Sequence, residues 1–336
     1  MKIIGIILAI LCFALLIVGH EFGHFSVGKL LGFKINEFSV GMGPRLWGKK
    51  KGETDYSIRA VPIGGYCAFE GEEDGSEDPR SFNRQKPWKK LLVLVAGSFN
   101  NIVIGIIIFT IVFAYAGSYS SVLSEVVEDR PAAKAGIAAG DKIVAVNGTR
   151  SDEWTDITRM IQTSEGDTVQ VTVLRGSEEK TFTVETYTMD NGAKGIGIVC
   201  TIEHSVGGAL KTAFKECGSM IRALRDFFGR LFHGQASSDD VGSVIQIIAI
   251  SGDYAEQYGL ITVIHLIALV SVNLGFMNLL PIPGLDGGRI LFVLIRWITR
   301  GKLSEKVENV INNVFMILLI ALMVFLLLKD IVWLVR

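Results

Sequence analysis

The sequence has no cysteine framework, no excess of positive charge and few histidines. Its four cysteines, Cys12, Cys67, Cys200 and Cys217, stand far apart without C-x-x-C spacing. That excludes a cysteine zinc cage and a disulfide scaffold, and the four read as free or buried thiols. The 33 Lys and Arg residues are balanced by 34 Asp and Glu, for a net charge of −1. A nucleic-acid binder would show a basic face, so nucleic acid is not an expected partner. Only five histidines occur in 336 residues, so any imidazole-based site has few residues to draw on.

What the chain has in abundance is apolar sequence: 49% of residues are hydrophobic and the mean hydropathy is +0.42. A soluble domain of this length is less apolar, which places the excess in lipid-facing segments. Four runs are long enough to cross a bilayer core, which takes roughly 20 helical residues. The first runs from Met1 into His20-Glu21-Phe22-Gly23-His24 and the second from about Leu91 to Gly117. The third runs from about Leu260 to Leu280, with apolar sequence resuming at Ile290–Ile298, and the fourth from about Val310 to Leu328. A cleavable signal peptide is the weaker reading of the first run, which is long and has no small-residue cleavage site.

Orientation follows from the short loops. Lys29, Lys34, Arg45, Lys49, Lys50, Lys51, Arg84, Lys86, Lys89 and Lys90 lie in the first, and Arg296, Arg300, Lys302 and Lys306 in the last. Positive residues in short loops favour the cytoplasmic side. Both termini and the long segment from about Ser118 to Tyr258 then fall outside.

That segment has the texture of a soluble insert. Strand patterns in VLSEVVED and KIVAVNG flank a short PAAKAG helix, and TVQVTVLRG with EEKTFTVET forms a hairpin around Arg175-Gly176-Ser177. The order Pro131-Ala-Ala-Lys-Ala-Gly-Ile137, Gly140-Asp141-Lys142-Ile143 and Val146-Asn147-Gly148 resembles the PDZ domains of bacterial proteases. Such domains bind extended peptides at a sheet edge, and a plain α+β domain without a ligand stands beside that reading. Lys211 to Phe232 reads as an amphipathic helix on the outer membrane surface.

The chemistry concentrates in HEFGH. Helical spacing puts His20 and His24 on one face, where two imidazoles can share a zinc ion, with Glu21 placed as general base. A surface His pair is the bland alternative, but this motif ends a hydrophobic helix. Ionisable groups there cost on the order of 2.5–3.5 kcal/mol each, whereas structural zinc sites contribute roughly 10–16 kcal/mol. A catalytic zinc needs a third protein ligand. His204 and His233 lie in the outer segment, and His265 sits alone. Asp286 in NLLPIPGLDGGR is the best candidate: Pro281 and Pro283 break the helix, and broken backbone at membrane depth lines a buried or wet cavity. A helix-capping Asp is its alternative role.

HEFGH and Asn278–Gly287 (NLLPIPGLDG) together resemble the two signatures of the site-2 protease family of intramembrane metalloproteases, in its bacterial regulator-of-sigma-E branch. The resemblance covers nearly the whole chain, including the single PDZ-like insert and Val241-Gly242-Ser243-Val244. It implies zinc on His20, His24 and Asp286, Glu21 as catalytic base, and substrate contacts from Asn101, Asn278 and Pro281. For Asn101, a helix–helix hydrogen bond is an equal alternative. Where the family often has Gly-Pro, this chain has Gly97-Ser98, with the Asn at matching spacing.

The resemblance further implies cleavage within the membrane segments of single-pass proteins, such as a pre-cleaved anti-sigma factor or remnant signal peptides. The implied location is a bacterial inner or plasma membrane, with the active site near the cytoplasmic side and the PDZ-like insert outside. INEFSVGMGPRLWG and TDYSIRAVPIGGYCAF read as paired strands that could hold an unwound substrate by strand addition. They resemble the family's membrane-reentrant β element, and an ordinary cytoplasmic hairpin fits the pattern as well.

A membrane zinc protease with a cytosolic HExxH domain, a PDZ-displaying receptor and a broken-helix transporter fit less well. PxPxLDG and the lack of a large cytosolic domain count against the first, the intact ligands with Glu21 count against the second, and the sequence shows no internal repeat of the kind a transporter carries. The expected fold class is a polytopic α-helical membrane protein of about four transmembrane helices, with an inserted PDZ-like α+β domain and a membrane-reentrant β element. Its expected segments are 1–117 (first half of the core), 118–203 (PDZ-like), 204–258 (amphipathic linker helices) and 259–336 (second half of the core).

Overall fold

The computed structural model describes residues 1–72, 76–189, 192–235, 244–300 and 305–335. Residues 241–243 of the Val-Gly-Ser-Val segment and Lys302 lie outside them. The chain divides into two compact units, Met1–Phe109 with Ala213–Arg336, and Thr110–Thr212.

The first unit opens with α1 (Lys2–Leu30), an uninterrupted apolar helix that carries HEFGH in its last third. A broad apolar helix with only 22% of its apolar window buried keeps the rest for lipid. Strands β1 (Ile35–Lys51) and β2 (Thr54–Phe69) follow as one long antiparallel hairpin. Its register starts at Ile35↔Phe69, ends at Lys51↔Thr54 and shifts repeatedly between. Gly41 and Gly43, at φ +86° and +82°, provide backbone conformations that such shifts require.

One end of the hairpin is anchored in an apolar cluster of Phe33, Ile35, Phe69, Phe82, Val93 and Leu94. The rest exposes Val40, Met42, Leu46, Trp47, Ile58 and Val61. Helix α2 (Pro87–Ala116) begins on Pro87, whose fixed φ and missing N–H suit a first helical position.

The second unit holds the insert. Its strands are β3 (Ser118–Val126), β4 (Lys142–Val146), β5 (Thr149–Arg150), β6 (Thr168–Arg175), β7 (Glu178–Glu185), β8 (Tyr187–Thr188), β9 (Lys194–Gly195) and β10 (Ile198–Glu203), with helices α3 (Pro131–Ala135) and α4 (Trp154–Gln162). The main sheet runs β10-β3-β4-β6-β7, with β5 paired to β4. Alternating Val169, Val171 and Val173 on β6 point into a core shared with Leu123, Ile143, Val146, Ile157 and Val184.

Asp141, just before β4, is fully enclosed. Its carboxylate accepts both Nε and Nη2 of Arg175 at 2.7 Å and the Ala138 N–H at 3.0 Å. The Arg175 guanidinium holds that carboxyl below its ordinary value of 3.8.

The chain returns through α5 (Val206–Phe232), α6 (Val244–Tyr258) and α7 (Leu260–Asn278). Helix α6 lies against the start of α1 so closely that a Cβ on Gly5 would sit 2.4 Å from the Ala255 Cβ. After α7 the helix stops, because Pro281 and Pro283 cannot extend the hydrogen-bond ladder. It resumes as α8 (Asp286–Ile298), and α9 (Glu305–Val335) completes the described chain. Among the described residues, α1, α2 and α7 are long and apolar enough to cross a membrane, while α9 contains a shorter apolar stretch, Val310–Leu326.

Candidate metal centre

The site forms where α1, α2 and the break between α7 and α8 meet, and glycines permit the approach. A Cβ on Gly23 would lie 2.4 Å from the Ala96 carbonyl oxygen, and one on Gly97 would lie 2.3 Å from His24 Nε2 and 2.9 Å from His20 Cε1. Small residues at such crossings let helix backbones close on each other. Gly287 and Gly288 do the same on the third side. Cβ atoms there would lie 2.1 Å from the Leu280 oxygen and 2.4 Å from the Ile282 oxygen, so both glycines let α8 fold back over the PIP loop. Asp286 is the first residue of α8, one position after its N-cap Leu285.

The structure brings His20, His24 and Asp286 together. His20 Nε2 lies 3.2 Å from His24 Nε2, and Asp286 Oδ2 lies 3.0 Å and 3.3 Å from the two. Both imidazoles are 8% exposed. The two rings stand nearly perpendicular. Asp286 Oδ2 sits at ion-pair distance from both histidines yet has no hydrogen-bond partner of acceptable angle. Three lone-pair donors thus converge on one another instead of pairing. Tetrahedral zinc with bonds of roughly 2.0–2.1 Å spaces its ligand atoms about 3.3 Å apart, so the triangle fits that ion. His24 Nδ1 is 2.8 Å from the Val93 carbonyl oxygen, a donation that leaves Nε2 as the free donor atom.

Glu21 is half-buried between two cavities. One, of about 240 Å³, is lined by Ile17, His20, Leu274, Asn278, Leu285 and Asp286. The other, of about 210 Å³, opens toward Tyr66, Cys67, Glu72 and Arg289. Strand β2 passes directly alongside: the Cys67 backbone amide faces the Glu21 carboxylate, and a Cβ on Gly65 would lie 3.6 Å from Glu21 Cγ.

Of the expected substrate contacts, Asn278 lines the first cavity. Pro281 is exposed on the loop beyond α7. Asn101 is fully buried, with its amide against His20. Sequence reasoning missed the Val93 carbonyl, which no residue type could have signalled because any residue supplies one. It also missed the ion pair between Arg289, one turn after Asp286, and Glu72 beyond β2.

A buried triad of two imidazoles and a carboxylate beside a glutamate that lines two cavities, on helices exposing apolar faces, defines a metallopeptidase of the membrane. The chain matches Peptidase family M50 over residues 8–322 and belongs to that family. It is 36% identical over 331 residues to a Clostridium perfringens protein provisionally named a zinc metalloprotease, covering 98% of each chain. It is 35% identical over 336 residues to a similarly named Clostridium acetobutylicum protein, covering 99% of each. Among solved structures, the PDZ domain of an SdrC-like protein from Listeria innocua is 30% identical, with 26% of this chain and 97% of that one covered and a TM-score of 0.23. Membership in the M50, or site-2 protease, family makes this chain a zinc-dependent metalloprotease and a membrane protein.

Proposed function

We propose that the chain cuts peptide bonds inside the membrane segments of single-pass proteins, with His20, His24 and Asp286 holding the zinc and Glu21 acting as the base. The observation that carries this reading is the triad of converging donors, built on the apolar helices α1 and α2 and on the broken backbone before α8. Zinc bound there supplies Lewis acidity toward water and a carbonyl oxygen. Glu21, which lines both cavities, takes the proton of the attacking water and passes it to the leaving amine.

A substrate helix must first unwind, because its peptide bonds are closed in its own ladder. The β1–β2 hairpin, with β2 beside Glu21 and an apolar outer surface, supports a membrane-reentrant element that receives the unwound segment as an added strand. In this reading α9 is the fourth span. The loops rich in Lys and Arg support a site near the cytoplasmic face of a bacterial plasma membrane, with the PDZ-like insert outside. Substrates of this kind include an anti-sigma factor already trimmed outside the membrane and remnant signal peptides.

The test uses the full chain in vesicles with a single-pass reporter substrate. The expected result is a cut within the reporter's membrane segment, abolished by a chelator and restored by zinc, and Asp286→Ala should lose stoichiometric zinc. Cleavage confined to soluble peptides would overturn the intramembrane reading. Full zinc content in Asp286→Ala would overturn the third ligand.

A further inference from the structure

We propose that Asn101 is a positioning residue for the metal: its side-chain oxygen accepts the Nδ1 proton of His20 and so commits Nε2 to the zinc. This rests on the reading above, in which His20 is a ligand.

The inference starts from an imbalance of donors. His20 turns Nε2 toward Asp286 and His24. For that nitrogen to offer its lone pair, a neutral imidazole must carry its hydrogen on Nδ1, and that hydrogen needs an acceptor. Facing Nδ1, at 3.4 Å, is the amide of Asn101 with its nitrogen forward, so once Nδ1 carries that hydrogen two donors oppose each other. Meanwhile Asn101 Oδ1 is buried and has no partner. Oxygen and nitrogen of an amide occupy nearly equivalent positions, and a half-turn about the Cβ–Cγ bond exchanges them. That exchange puts an acceptor against the Nδ1–H and gives the partnerless oxygen a donor.

The geometry of α2 supports the assignment. Val93, Gly97 and Asn101 recur every four residues and so lie along one face of that helix. Val93 gives its backbone carbonyl to His24 Nδ1 at 2.8 Å. Gly97 leaves the space the two imidazoles fill. Asn101 then does with its side chain for His20 what Val93 does with its carbonyl for His24. The Asn101 carbonyl is taken by the Ser271 hydroxyl of α7 at 2.7 Å, which also fixes the register of this face. Asn101 has no exposed surface to offer a peptide.

The test is zinc affinity of the full chain in detergent, titrated against a competing chelator, together with the visible spectrum of the cobalt(II) form. Asn101→Ala should bind zinc about 10–100-fold more weakly and shift the cobalt spectrum. Asn101→Asp keeps an acceptor and should bind within a few-fold of the parent. His20→Ala, run in parallel, should lose the ion. Parent-like zinc affinity and cobalt spectrum in Asn101→Ala, with only KM for substrate raised, would overturn the proposal in favour of a substrate contact. Loss of zinc in Asn101→Asp as complete as in Asn101→Ala would also overturn it. Zinc retained in His20→Ala would instead bring down the ligand assignment on which it rests.

Discussion

The membrane unit buries a polar centre that the insert does not have. Inside the insert lie Ile143, Val146, Ile157 and three valines of β6, and its charges face outward except for the paired Asp141. At the centre of the membrane unit lie His20, His24, Ser98, Asn101 and Ser271, while Ile3, Leu15 and Phe99 face outward. Water drives the first arrangement, since removing apolar surface from it stabilises the fold. Lipid removes that drive, so the membrane unit is organised by close helix approach and by polar groups that must find partners. Two of those groups, His20 and His24, converge with the Asp286 carboxylate at 3.0 Å and 3.3 Å.

The comparison can be broken at its strongest point by Glu21→Gln, which should lower cleavage by about 10²–10⁴-fold while zinc content stays stoichiometric. Parent-like turnover would remove Glu21 from the chemistry. Next in size, Gly97→Ala places a methyl group in the space of the His24 ring. A weakening of zinc binding of about 10–100-fold is expected from the displaced ring, read by chelator competition. An unchanged affinity would show that α1 and α2 separate at little cost.

On the other side of the comparison, Ile157→Ala in the insert should destabilise that unit by about 2–5 kcal/mol, seen as faster hydrogen exchange in β4 and β6. Zinc content should not change, and a parallel loss of zinc would show that the two units share one cooperative core. The smallest effect concerns pH. Asp141 titrates below 3.8 in the folded insert, so the unfolded chain takes up its proton first as pH falls. The stability this pair adds is full above about pH 5 and is lost as pH drops through the native value. Asp141→Asn should lose about 1.5–3 kcal/mol at pH 7 and flatten the acid limb of an exchange-versus-pH curve. An unchanged acid limb would exclude the pair as its cause.

Much of this was legible in the chain. HEFGH at the end of an apolar run, and PIPGLDGG where a helix must break, are local statements about spacing and backbone freedom, and α1, α7 and α8 start and stop accordingly. The paired strands β1 and β2 and the Gly176 hairpin were readable from alternation and turn residues. What was not legible depends on the third dimension. Val93 contributes through a carbonyl that every residue has. Gly97 contributes by lacking a side chain opposite a ring 73 positions earlier in the chain. Asn101 read as a substrate contact or a helix–helix bond, and only its burial against His20 separates these uses.

The sequence by itself determined the donors, the helices that carry two of them and the break that frees the third, because helical period and proline geometry act over a few residues. Tertiary structure alone decided that Asp286 reaches a histidine pair more than 260 positions away, and which nitrogen of each ring faces its carboxylate. Those outcomes depend on how closely three backbones approach, and that distance is set jointly by glycines on all three.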